Sequence, residues 1–228
     1  MPRKQRPGAE LPQYLADAIR QAWPDGQVNM PEDDPLRDTY PKLKESLARI
    51  PGARIQYERA PHGPVEGPSS YALFFLTPTA ELYQFETEVP ETDEDGIDQR
   101  MIPGRGWMGC VAAISVVGPY AAVLFDEMEV YENGLRMEPD IEPHMFNLDG
   151  GKLDMESQYR ELFGEEGLSI LLNLRAGIES VLKKSKITVI PEADLDRPVP
   201  WLSAGEEVSA GKAGKPLTVR QAFFFRTV

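Results

Sequence analysis

One cysteine and two histidines are all that this chain offers of the side chains that most often hold metals or serve as nucleophile and base. Cys110 has no partner, which excludes an intrachain disulfide and the stapled frameworks of small secreted domains. A reducing, cytoplasmic setting is therefore expected. Val111, Ala112, Ala113 and Ile114 follow Cys110, the surroundings of a small buried hydrophobe and not of a reactive thiolate. Neither His62 nor His144 has a second His or Cys at ligand spacing, and no serine lies in a G-x-S-x-G elbow. These shortages leave no catalytic residue, no metal site and no cofactor to name, and they favour a binding protein over an enzyme.

Long charge-free runs are scarce too. The N-terminal Met1–Gly8 has no apolar core of the kind a secretory signal needs. One stretch, Trp107–Phe125, holds 19 residues without a charge, close to the about 20 that a spanning helix requires. Gly118-Pro119 interrupts it, and Val111, Ile114, Val116, Val117 and Val123 favour extended backbone. Two buried strands joined by a tight turn are expected there, and no membrane span.

What remains is an ordinary globular composition, 41% hydrophobic over 228 residues, long enough to bury its own core. Residues 1–9, with Arg3, Lys4 and Arg6, read as a flexible basic tail, and 10–228 as a single α+β domain. Leu11, Tyr14, Leu15, Ala18, Ile19, Ala22 and Trp23 form a helical stripe stopped by Pro24-Asp25-Gly26. Tyr40, Leu43, Leu47 and Ile50 mark a second helix, with Asp38 or Thr39 as cap and Pro41 in its first turn. From Ala53 the pattern turns to strand, over 54–58, 71–77, 81–89, 110–117, 120–132 and 135–137. Asn133-Gly134 signals a type I′ hairpin, and the short connections predict antiparallel neighbours.

Asp154 is placed to cap a short helix ending at Phe163. The longer stretch Leu168–Lys184 is apolar over more than half its surface, as in a helix buried at the centre of a fold. Lys186–Ile190 reads as a last strand, and Thr218-x-x-Gln221 as a capping box before Phe225. The predicted architecture is α+β: an antiparallel meander sheet of five or six strands with N-terminal helices and a C-terminal helical layer.

Literal motif matches fail on context. Gly104-Arg105-Gly106-Trp107-Met108-Gly109 fits G-x-G-x-x-G, but it precedes a predicted strand, whereas a dinucleotide loop must open a helix. A calcium loop counted from Asp93 puts Ile97 at position 5 and Gly104 at position 12, where oxygens are needed. Glu127 and Glu129 share one strand face about 6.6 Å apart along the strand. That suits a carboxylate hydrolase, but solvent-facing acids without desolvation give the same pattern.

The most informative feature is the placement of charge. Glu86, Glu88, Glu91, Asp93, Glu94, Asp95 and Asp98 lie in a window, 86–98, that holds no Lys or Arg. Asp126, Glu127, Glu129, Glu132, Glu138, Asp140 and Glu142 lie in a second, 126–142, with only Arg136. Together the windows carry the whole formal net charge of −13. Charged sheet edges also guard against unwanted pairing. The sharper reading is a face that docks a basic protein partner, with Glu86, Glu88, Glu91, Asp93, Glu94, Asp95, Asp98, Glu127 and Glu129 as binding residues.

Nucleic acid is disfavoured as a ligand, because phosphate contacts need a concentrated basic face. In type and composition the chain is similar to bacterial immunity proteins that neutralise toxins, though no motif carries that likeness and no residue transfers. An immunity-like inhibitor is thus one expectation; a small carboxylate-dependent hydrolase and a structural subunit of a larger bacterial assembly are the alternatives. A hydrolase would show a deep pocket with convergent polar groups, and a subunit a large exposed apolar patch. The pattern does not set an oligomeric state.

Overall fold

A computed structural model describes residues 10–31, 33–34, 36–61, 69–92, 98–141, 155–206, 208–209 and 216–227. The tail 1–9, the capping role of Asp154 and the acids Asp93, Glu94, Asp95 and Glu142 lie outside the described residues. The first apolar stripe forms helix α1 (Gln13–Ala22), with Leu15, Ala18 and Ile19 buried. Strand β1 (Gln27–Val28) follows, then helix α2 (Tyr40–Ala48), which buries Leu43 and Leu47. Thr39 stands at the N-cap of α2, but its side chain makes no cap bond.

The long strands are β2 (Ala53–Arg59), β3 (Tyr71–Pro78), β4 (Gln84–Thr92), β5 (Asp98–Ser115) and β6 (Tyr120–Tyr131). Two-residue strands β7 (Arg136–Met137) and β8 (Thr188–Val189) complete a seven-stranded sheet. Its order is β2-β3-β5-β6-β7; β4 pairs β5 farther along, and β8 pairs β6. Every pair is antiparallel except β6–β8. The charge-free stretch forms paired strands on either side of Gly118-Pro119, with Ile114 opposite Ala121.

Sequence patterns miss three details here. Residues 81–83 form a 3-10 turn, so β4 starts at Gln84, and Tyr83 points into the core, where its hydroxyl donates to the Gly167 carbonyl at 2.8 Å. The Asn133-Gly134 hairpin is not type I′. Gly134 alone of the pair has positive φ, at 86°, and its N–H donates to the Tyr131 carbonyl while Tyr131 N–H donates to that of Leu135. This is a type I turn closed by a glycine bulge, the usual three-residue solution. Finally, β8 runs parallel to β6 and is not the last strand of the chain.

Both faces of the sheet are covered, so β3 and the end of β5 read as continuous apolar runs, with β3 buried along its whole length. On one face α2 and helix α3 (Met155–Lys184) pack on Ala72, Phe74, Leu76, Cys110, Ala112 and Ile114. Helix α3 breaks at Gly164, which separates the short helix from the long one. Leu168, Leu171, Leu174, Ile178 and Leu182 are buried, but Ile170 and Leu172 are exposed. The helix is therefore docked by one face and is not central.

The opposite face is covered by α1 and the C-terminal chain: helix α4 (Glu192–Leu195), strands β9 (Pro198–Val199), β10 (Ser203–Ala204), β11 (Val208–Ser209) and β12 (Leu217–Thr218), helix α5 (Val219–Phe223) and strand β13 (Arg226–Thr227). Thr218 and Gln221 form the capping box that opens α5. Trp23 ties α1 to this layer through its indole N–H, which donates to the Ala222 carbonyl at 3.0 Å. No described helix is long and apolar enough to cross a membrane.

Candidate functional site

Beyond the part of the sheet that β3 joins, β4, residues 98–109 of β5 and the end of β6 continue as a three-stranded arm. Strand β5 is longer than its sequence suggests, because Pro103 and three glycines look like loop residues. Pro103 is tolerated where the β6 ladder runs out: its carbonyl accepts from Glu132 N–H at 2.9 Å, so its missing donor is on the side where pairing ends. The glycines are there for close packing. A Cβ on Gly106 would stand 2.0 Å from the Phe85 ring, which lies across it, and one on Gly109 would stand 2.1 Å from the Leu76 carbonyl oxygen. The G-x-G-x-x-G match is thus a strand interior, with no helix N-terminus for a phosphate.

Register divides the candidate acids between two faces. Glu86 lies opposite Arg105, which lies opposite Val130, and Glu88 lies opposite Pro103. Glu129 lies opposite Gly106, and Glu127 opposite Met108, on the other side of the pleat. Among the described candidates, Glu86 and Glu88 therefore share one face of the arm, and Glu127 and Glu129 share the other. Glu91 is engaged by Arg100, at 2.5 Å across the hairpin; sequence windows hide this because the cation falls just outside them. The backbone of Asp98 pairs with Thr92.

On the first face is an open groove of about 870 Å³, lined by Glu86, Glu88 and Glu132 with Pro103, Trp107 and Val130, and with Arg105 as the one base among its described lining residues. Glu86, Glu88, Arg105 and Glu132 are exposed. On the other face Glu129 accepts from the Tyr131 hydroxyl and, at 3.4 Å, from that of Thr87. Glu127 beside it is half-buried. Desolvation, and then the Glu129 charge, raise its pKa above the usual carboxylate range. Glu127 is therefore not the fully solvated acid that alternation along the strand suggests.

A second constellation has no sequence signature, since its members come from five separate segments. The chain after β7 lies across the α1-side face of the sheet. Tyr57 donates to Glu138, and the Tyr71 hydroxyl donates to Asp140 at 2.6 Å. Arg226 reaches Asp140 at 2.5 Å, and Arg59 stands at 3.9 Å. Asp126 accepts from the backbone N–H groups of Glu127 and Asp140, both at 2.9 Å. Burial outweighs these bonds and pushes the Asp126 carboxyl up to about 7. Two acids of the second window are thus taken out of reach of a docking face: Asp140 is buried and Asp126 is half-buried beneath it. Their work there is structural, clasping residues 138–141 onto the sheet.

Among the described residues no group of three or more His, Cys, Asp or Glu side chains is placed to hold a metal. Cys110 is buried, and desolvation raises its thiol pKa far above the ordinary value. Compared with known proteins, the chain matches no family, no curated relative and no solved structure.

Proposed function

We propose that this chain is a protein-binding module that docks a basic protein partner on the groove face of the β4–β5–β6 arm. The observation that carries this reading is the composition of the groove: exposed Glu86, Glu88 and Glu132 around Trp107, Val130 and Pro103. A tryptophan beside apolar neighbours is the kind of anchor that dominates interface energies, and rim carboxylates steer encounter with a cation-bearing partner. An inhibitor of the immunity type would use such a face to cover its target. Glu127 and Glu129, on the far side, drop out of this interface.

The test is capture from the source cells with two baits, the wild-type chain and the triple variant E86K/E88K/E132K. A basic protein held by the first and lost by the second supports the proposal; the same proteins on both baits would overturn it. A carboxylate hydrolase is the second reading, favoured by the raised pKa of Glu127 beside Glu129. It requires that E127Q and E129Q each abolish turnover of a chromogenic glycoside or ester that the wild type hydrolyses.

A further inference from the structure

We infer that the basic partner enters as an extended segment that adds a strand to the outer edge of β4; this rests on the acidic groove face as the docking surface. Strand β4 is nine residues long and, among the described residues, is paired on one side only, by β5. Strand β3 occupies the same edge of β5 but stops at Pro78, and β2 lies outside β3, not outside β4. An edge of about 30 Å, from the rise per residue, is left with unpaired N–H and C=O groups. Such an edge is a template for strand addition, in which main-chain bonds give affinity and side chains on alternate positions give selectivity.

Charge selects the occupant. Glu86 and Glu88 project from β4 onto the groove face, so the side chains of an added strand would stand beside them at the spacing of neighbouring strands, about 5 Å. Arginine or lysine at alternate positions satisfies them. A second copy of this chain does not, because antiparallel pairing of two β4 edges about Thr87 would bring Glu86 of each against Glu88 of the other. Pro90 offers no N–H, so the added ladder centres on Gln84–Val89. The apolar residues next to the acids, Trp107 and Val130 among them, extend the contact past the added strand into the groove.

The probe is a synthetic eight-residue peptide of alternating arginine and valine with blocked ends, beside a twin methylated on every backbone nitrogen. The twin keeps all the charge and loses the donors. Calorimetric titration of the wild-type chain and of E86K/E88K gives the affinities, and amide exchange of residues 84–92 gives the location. Strand addition predicts that the wild type binds the first peptide at least tenfold more tightly than the twin, with slowed exchange across 84–89. Equal affinity for the twin would overturn the inference while leaving the acidic face as the docking surface. Equal binding by wild type and E86K/E88K would remove both.

Discussion

Replacing Asp126 with asparagine should change how the stability of this protein depends on pH, and the size of the change follows from the site. The carboxyl sits under the 138–141 segment, where burial raises its pKa from 3.8 to about 7 despite two backbone donors. A carboxyl whose folded pKa lies above its unfolded value binds more protons in the native state between those two values. Stability from this group is therefore greatest below about pH 4 and is lost as pH rises through about 7. A shift of roughly three units corresponds to about 4 kcal/mol at 1.36 kcal/mol per unit. Desolvation raises the Glu127 pKa as well, so the informative quantity is the difference between wild type and D126N. Asparagine has no charge to desolvate and keeps one carbonyl for a backbone donor. Urea unfolding of both proteins from pH 4 to pH 8 should show D126N gaining on the wild type by a few kcal/mol, equivalent to roughly 8 to 16 °C in Tm for a chain of this size. Parallel pH profiles would refute the assignment of a buried, half-ionised carboxyl at this position.

Three further outcomes are expected. Gly106→Ala should cost about 1–3 kcal/mol by forcing the Phe85 ring aside, and the cost should nearly vanish in an F85A background; a denaturant double-mutant cycle measures the coupling. Asp140→Ala should destabilise the chain by about 3 kcal/mol in urea unfolding, because Arg59 and Arg226 lose the carboxylate between them. Amides of 107–125 should be among the slowest to exchange, since that segment is the paired centre of the sheet; rapid exchange there would contradict the register of β5 on β6.

Much of the fold is legible along the chain because its signals are local. The stripe from Leu15 to Trp23, the break at Gly118-Pro119, the glycine after Asn133 and the Thr218–Gln221 box each act within a few residues, and each marks a real element. Strand β5 is not legible before Cys110. Its glycines are explained only by rings and backbone that arrive from β3, β4 and β6. The covering of the second sheet face is likewise hidden, because it comes from short segments after Ile190 that have little periodicity of their own.

The acidic clustering was visible, but sequence windows sum charge without regard to the pleat, to the hairpin partner Arg100, or to burial. Register moves Glu127 and Glu129 to the far side, and the 138–141 segment covers Asp126 and carries Asp140 inside. On the groove face the described acids are fewer than the windows suggest: Glu86 and Glu88 are joined there by Glu132.

The central claim, that the groove face docks a basic partner, is tested most directly by an association rate. With the captured partner immobilised, kon is measured for the wild-type chain and for E86K/E88K/E132K across a salt series. Unfolding curves should coincide within about 0.5 kcal/mol, as expected for exposed positions. The account predicts a kon at least tenfold lower for the variant at low salt, a fall in the wild-type rate as salt rises, and convergence of the two proteins at high salt. Equal rates at low salt would contradict it and leave the three carboxylates as surface charge alone.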